Sequence, residues 1–589
     1  MSHLESTARR RAVFRSVLMV AVLTLLLLLS GLVAGAGSAY ADSGPVTDTG
    51  VLNGAAYRID MPAHWNGTLL LYSHGYRIPG SANPANSVEP QALGAVLLAQ
   101  GYALAGSAYA TTGWAIEQAI PDQIRLLNYF EGKYGKPTRT IAWGFSLGGM
   151  ITAAIAQEYP ERIQGALPMC GVVGGGVGAW NVGLAGGVAF KTLLAPNSGV
   201  ELVNITDPLQ NLTKGAGALE AAQQTPQGRA RIALAAALSS IPGWFDPASP
   251  VPAPTDYAAQ EQNQYLWIKN VTLPFQLAFR KDLELRAGGN PSWTNGVDFR
   301  ALLAQSPVKA EVEALYQAAG LNLDADLQAV QQAPPIFADQ KAVDYLTANV
   351  TFNGRITVPV LTMHTTGDGL VPVQNEQSYR EIVDAAGNGS LLRQLFVNRA
   401  GHCQFSGAEV LTALGVLMGR VQTGVWPDTS NVAALNAAAG SLGPLLNNYP
   451  AGFVAFEPSP YLRPYTLPLW PVGYPRYGVS MLPVAAGGPD GAAMVAQDAP
   501  GFSYTLTMTI SGLAPGSVYA VDIERGRCDL GGPAIQALPN AVADWQGVAR
   551  IRAHLGFAEW LAIHTGPASI HVYDGSAPSG DAVSCGNVP

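Results

Sequence analysis

Cysteine is scarce, with four residues in a chain of 589, at Cys170, Cys403, Cys528 and Cys585. None stands in a C-x-x-C pair, which excludes a zinc ribbon and a thioredoxin-type redox site. Charge is thin as well. Asp, Glu, Lys and Arg together make up 13% of the residues and the formal net charge is −8, so no basic surface calls for nucleic acid or an anionic membrane. The glycine run Gly174-Gly175-Gly176 lacks the Lys-Ser/Thr that completes a phosphate cradle and reads as a loop. Nothing in the pattern asks for a metal or a cofactor. What the chain does have is apolar residues, 48% of the total, and a length that predicts two or three domains.

The first forty residues read as an export leader. Arg9, Arg10, Arg11 and Arg15 precede an almost unbroken apolar stretch, Val17 to Val33, and Ala39-Tyr40-Ala41 supplies a small-x-small cleavage pattern. This predicts a leader over 1–41, a mature start near Asp42 and a secreted protein. The alternative is an N-terminal anchor, because the apolar run approaches the length of a membrane span. In an exported chain an even cysteine count reads as disulfides. Four cysteines allow three pairings, and pairing within domains favours Cys170 with Cys403 and Cys528 with Cys585.

From Val51 to about Gly424 short apolar strands alternate with helical patterns, which predicts a mainly parallel sheet. Leu69 to Tyr72, Tyr102 to Ser107, Thr138 to Trp143, Ile163 to Met169, Val358 to Met363 and Leu392 to Val397 are the strands, and helices are read at Ile116 to Glu131, Leu147 to Glu158 and Ala408 to Val421. Between about 172 and 352 the strands stop and helical patterns take over, as in Gly228 to Leu238 and Val308 to Ala319; so long a segment predicts an inserted helical cap. Residues 426–499 are crowded with proline and glycine and read as a linker or extended ribbon. From 500 to 589 the periodicity is two, as in Tyr504, Leu506, Met508 and Ile510, which predicts an all-β sandwich with later strands at Val518 to Ile523, Val548 to Ile551, Leu561 to His564 and Ile570 to Tyr573.

A serine hydroxyl needs a base to take its proton and an acid to orient that base. Gly144-Phe145-Ser146-Leu147-Gly148 puts Ser146 on a sharp turn between an apolar strand and a small-residue helix. Asp368 follows the strand ending at His364, and His402 follows the next strand, so both stand on loops at one rim of the sheet. Ser146 is therefore the candidate nucleophile, His402 the base and Asp368 the acid. His364 competes for the base but belongs to the strand before Asp368 and is better placed to support that loop. Oxyanion donors are expected at the backbone N–H of Leu147 and of Tyr76 in His74-Gly75-Tyr76-Arg77, with Arg77 as the neighbouring choice.

These segments together resemble the α/β-hydrolase superfamily over about Val51 to Gly424. The resemblance implies an eight-stranded sheet, a Ser146–His402–Asp368 triad and a cap inserted after the strand Ile163 to Met169. Some secreted esterases of the superfamily, tannases and feruloyl esterases among them, staple the histidine loop with a disulfide. Cys403 beside His402 and Cys170 at a strand end would do the same here, although this chain lacks their cysteine next to the nucleophile. The C-terminal segments Gly512-Leu513-Ala514-Pro515-Gly516, Cys528, Asp544-Trp545-Gln546-Gly547 and Ser584-Cys585-Gly586 resemble the Cu/Zn superoxide dismutase sandwich. Where that family carries a copper-binding His-x-His, this chain has Val521-Asp522-Ile523. The resemblance therefore implies a metal-free sandwich, with His554, His564 and His571 read as strand histidines facing solvent.

The expected fold is thus an α/β-hydrolase domain over 42–425 with a helical cap, plus the sandwich. The expected activity is cleavage of a small-molecule ester through an acyl-enzyme. An exopeptidase is the alternative within the fold. It needs a cap carboxylate for the substrate ammonium, for which Glu201, Asp207, Asp256, Glu261, Asp282 and Glu284 are available. A surface-binding protein on an inactive scaffold is the alternative from another class. The cap tryptophans Trp180, Trp244, Trp267 and Trp293 would cover an apolar pocket or form cap core, and the sandwich would contact a polymer, a cell surface or the hydrolase domain itself.

Overall fold

Alternation of buried apolar strands with helices produces the expected layered architecture in a computed structural model that describes residues 45–465, 476–485, 487–497, 504–528, 532–564, 567–578 and 581–588. The leader and cleavage site expected from the sequence fall outside the described residues. Among the described residues no helix is long and apolar enough to cross a membrane.

The first sheet has nine strands: β1 Val46–Leu52, β2 Ala55–Met61, β3 Thr68–Ser73, β4 Ala103–Ser107, β5 Arg139–Phe145, β6 Gly165–Met169, β7 Val360–Gly367, β8 Leu392–Ala400 and β9 Phe453–Val454. They lie in the order β1-β2-β4-β3-β5-β6-β7-β8-β9. From β4 to β8 every neighbour is parallel. β1 and β2 close one edge antiparallel, and the two-residue β9 closes the other. Sheet and helices form an α/β-hydrolase fold, with one strand more than the eight implied by resemblance, because the chain after the last long helix returns to pair Phe453 and Val454 with β8. β3, β4 and β6 are buried along their whole length, which is why they read as apolar runs without alternation.

The insertion between β6 and β7 is helical throughout, from Gly176–Leu193 to Gln340–Asn349. It has its own core, in which Leu234, Leu238, Leu277, Val312 and Tyr316 are buried. The helix Tyr257–Trp267 widens into π geometry at Ile268–Thr272 and Phe275–Phe279 before resuming at Arg280–Ala287.

The C-terminal unit is mainly β: β10 Arg476–Pro483, β11 Asp490–Gln497, β12 Tyr504–Ser511, β13 Val518–Arg525, β14 Ala534–Ala537, β15 Ala541–Val542, β16 Ala549–Leu555, β17 Ala568–Asp574 and β18 Ala582–Val588. β10 pairs with β11 along most of its length and with β18 at Leu482 and Pro483, joining the two halves of the unit. Two sequence readings change here. β10 and β11 fall in the stretch read as linker, so the strand system begins at Arg476. Leu561 to His564, read as a strand, lies in the helix Phe557–His564, whose Ala-Glu-Trp-Leu-Ala composition favours a helix once Gly556 ends β16.

The two units meet at buried Arg125. Its Nη1 donates to Asp122 at 2.8 Å, and its Nε donates to Ser511 Oγ of the C-terminal unit at 2.8 Å with Asp490 Oδ1 3.7 Å away. Arg162 Nη1 makes a second bond across the junction, to Ser480 Oγ at 2.9 Å.

Candidate active site

Ser146 sits between β5 and the helix Leu147–Glu158 with φ 59° and ψ −123°. This backbone is strained for a residue with a Cβ, and strain of this kind gathers at functional turns. The turn closes because Gly148 lets the helix press on β3: a Cβ there would stand 2.0 Å from the carbonyl oxygen of Ser73. Ser146 Oγ–H faces His402 Nε2 at 2.7 Å, and His402 Nδ1 lies 2.6 Å from Asp368 Oδ2. Three side chains from the ends of β5, β7 and β8 thus form one continuous hydrogen-bond chain.

Each partner is held from behind. Asp368 is fully buried, and its other oxygen accepts the backbone N–H groups of Leu370 and Val371, both at 2.9 Å. Burial alone would raise this carboxyl, but electrostatic interaction with His402 and hydrogen bonds from His364 and His402 hold it down at about 2. His364 lies beside it, fully buried, with Nδ1 3.0 Å from Glu376 Oε1 and Nε2 2.8 Å from the Val371 carbonyl. Burial pushes this imidazole down, and the facing Asp368 and Glu376 carboxylates push it up further, to about 10. It is an imidazolium bracing the acid loop, in the supporting place read from its strand.

The histidine loop is clamped at three points. Cys403 is disulfide-bonded to Cys170 at the end of β6. Thr365 Oγ1 donates to the Gly401 carbonyl at 2.7 Å. Buried Arg399 donates to both oxygens of Glu409, at 2.7 and 2.9 Å. Glu409 in turn forms a capping box with Ser406 that starts the helix Gly407–Thr423. The second disulfide is Cys528–Cys585, completing the preferred pairing. Cys170 and Cys403 beside His402, and Cys528 and Cys585 beside His571, are the groupings of potential metal donors among the described residues, and their sulfurs are spent in these disulfides.

Ser146 opens into a small cavity of about 80 Å³, walled by Tyr76, Trp114, Trp180, Phe275 and Leu370. Among the described residues no charged side chain lines it. Leu147 and Tyr76 both border it, and the Tyr76 ring stacks obliquely on Phe275 at 5.1 Å. His74, before the Tyr76 turn, packs flat on Tyr109 at 4.0 Å with Nδ1 2.7 Å from the Gly75 carbonyl. Of the four cap tryptophans singled out, Trp180 alone lines this cavity. Trp267 is cap core: it donates to the Trp244 carbonyl at 2.8 Å and lies so close to Gly369 that a Cβ there would stand 2.4 Å from its ring. Trp293 packs on Tyr465. Phe275 and Leu370 were missed, since neither stands in a motif.

The six carboxylates considered for an ammonium grip are engaged elsewhere. Asp207 and Asp256 cap helices. Glu201 bonds Thr206, Asp282 holds Arg286 and the Trp114 N–H, Glu284 holds Arg280, and Glu261 is buried against Gln223. In the C-terminal unit Val521 and Ile523 are buried in the core. His571 is also buried, 2.9 Å from Ser569 Oγ and 3.3 Å from Cys585 Sγ, and does not face solvent as read from sequence; its strand lies between β13 and β18, which place Asp522 and Cys585 beside it. His554 is exposed, and the side chain of His564 lies outside the described residues.

Fold and site geometry define an α/β-hydrolase-type domain with a helical cap. The chain is 30% identical over 404 residues to the o-phthalyl amidase of Xanthobacter agilis, covering 64% of this chain and 87% of that protein. It belongs to the family of that enzyme, and is a hydrolase. No family model matches it. Among solved structures it is similar to an esterase from Aspergillus oryzae (14% identity, 65% of this chain and 81% of that chain, TM-score 0.31). It is also similar to the rice cell wall degrading esterase LipA from Xanthomonas oryzae (14%, 64% and 89%, TM-score 0.29).

Proposed function

We propose that the protein hydrolyses small-molecule acyl compounds, esters or amides of an aromatic or other apolar acid, through an acyl-enzyme formed on Ser146. The observation that carries this reading is the unbroken chain from Ser146 Oγ through His402 to Asp368 at the mouth of an uncharged aromatic cavity. His402 Nε2 takes the Ser146 proton as Oγ attacks the acyl carbon, then gives it to the departing alcohol or amine. Water repeats the sequence to release the acid. The N–H groups of Leu147 and Tyr76 are the proposed oxyanion donors, and the rings of Trp114, Trp180 and Phe275 hold the acyl body. The amidase name of the relative extends the expected leaving groups from alcohols to amines. It also points to aromatic acyl groups, which suit a cavity walled by rings.

The exopeptidase reading is disfavoured, because among the described residues no carboxylate lines the cavity to receive an ammonium. The test is a panel of aryl-acyl esters, aryl-acyl anilides and aminoacyl anilides assayed with the wild type and Ser146→Ala. We expect turnover of the first two classes, little of the third, and a loss of about 10⁴-fold or more in kcat/KM in the variant. Wild-type turnover in Ser146→Ala, or a preference for aminoacyl anilides, overturns the reading.

A further inference from the structure

A second cavity lies away from Ser146, between the hydrolase domain and the C-terminal unit, with a volume of about 400 Å³. That is within the range of small-molecule sites. One wall is sheet. In the register of β11, β12 and β16, Ala492 stands beside Thr509 and Thr509 beside Arg550; Met494 stands beside Thr507 and Thr507 beside Arg552. Arg550 and Arg552 are two apart on one strand, so both point to the same face. The facing wall carries Arg286 and Lys341. Between the walls stand the apolar side chains of Ile116, Ile120 and Met494.

Four cations face two carboxylates, Glu117 and Glu158, in a chain whose net charge is −8. Glu117 is engaged by the Tyr345 hydroxyl at 3.3 Å, and Arg550 has Asp544 3.7 Å away. Lys341 and Arg552 have no ion-pair or hydrogen-bond partner among the described residues. Positive groups on opposed walls of a cleft with low-dielectric sides concentrate the field on what lies between them.

We propose that this interdomain cleft binds a small dianion with an apolar body, its two acid groups reaching Arg550 and Arg552 on one side and Lys341 on the other. The apolar lining takes the body, and the threonine hydroxyls of β12 are placed to donate to acid oxygens. A carboxylate and a sulfonate or phosphate share this chemistry, and body and charge both contribute. Arg286 is left out of the test because it holds Asp282, which accepts the N–H of Trp114, a wall of the Ser146 cavity.

The test is calorimetric titration of the full chain with naphthalene-1,5-disulfonate, benzene-1,4-dicarboxylate, pyrophosphate and the uncharged 1,5-dihydroxynaphthalene. The same titrations are run on Arg550→Glu/Arg552→Glu and on Lys341→Glu, with thermal unfolding of each variant as the check on folding. We expect one saturable site for the two aromatic dianions with Kd below about 1 mM, weaker binding of pyrophosphate and none of the neutral diol. We expect a loss of about tenfold or more in affinity in each folded variant, and no change when Ser146 is blocked covalently. The proposal is overturned if the aromatic dianions do not saturate, if the folded variants bind as the wild type does, or if blocking Ser146 abolishes binding.

Discussion

His364 is the residue whose charge state shapes the site without touching substrate. Its folded pKa is raised from 6.5 to about 10, so the stability it contributes is present in full below about 6.5 and lost as the pH climbs through 10. Asp368 has the opposite sense: depressed from 3.8 to about 2, it contributes fully above 3.8 and loses that contribution as the pH falls toward 2. His364→Gln should therefore flatten the decline in stability between pH 7 and 10, measured by denaturant midpoint across that range. It should also lower kcat more than it raises KM, because Asp368 loses its brace. An unchanged stability profile would show that His364 is neutral in the folded protein. At this same scale Gly369→Val should push the Trp267 ring off the acid loop and cost about 1–3 kcal/mol by overpacking, read from the same midpoints. Ser146, Asp368 and His402 could be singled out from sequence because each stands on a loop just after an apolar strand, at one rim of the sheet. Phe275 could not, because its place in the cavity depends on a contact with Tyr76, 199 positions earlier, made by packing and unmarked by any local pattern.

At the scale of elements, the histidine loop is fastened to β6 by Cys170–Cys403 and to the following helix by Arg399 and Glu409. The bridge spans 233 positions, so its removal releases a long loop in the unfolded chain. Cys170→Ser/Cys403→Ser should lose about 2–5 kcal/mol of stability in chemical denaturation. It should also show a lower kcat, since the loop that aims His402 keeps only its two remaining anchors. Retained stability would show that Thr365 and the Arg399–Glu409 pair hold the loop without the bridge. The alternation of strands and helices was legible in the sequence, as was the helical nature of the insertion. What was not legible is the return of Phe453 and Val454 to the sheet edge and the start of the C-terminal strands at Arg476. Both lie in or beside a stretch crowded with proline and glycine, where periodicity says little.

The described residues form two units joined at buried Arg125, whose side chain faces Asp122 on its own helix and Ser511 and Asp490 across the junction. Removing the guanidinium leaves Asp122 buried, and Asp490 half-buried, without their cation. Arg125→Leu should accordingly cost about 3–5 kcal/mol and loosen the pair of units, seen as a larger radius of gyration in small-angle scattering. An unchanged radius and midpoint would show that the remaining contacts, Arg162 to Ser480 among them, suffice.

The central claim is that Ser146 carries the acyl group between substrate and water. Acid quench during turnover of a slowly deacylating aryl ester, followed by peptide mass spectrometry, tests it most directly. The account predicts an acyl adduct on the peptide containing Ser146 in the wild type, and none in Ser146→Ala. An adduct on another residue, or turnover by Ser146→Ala at the wild-type rate, would contradict it.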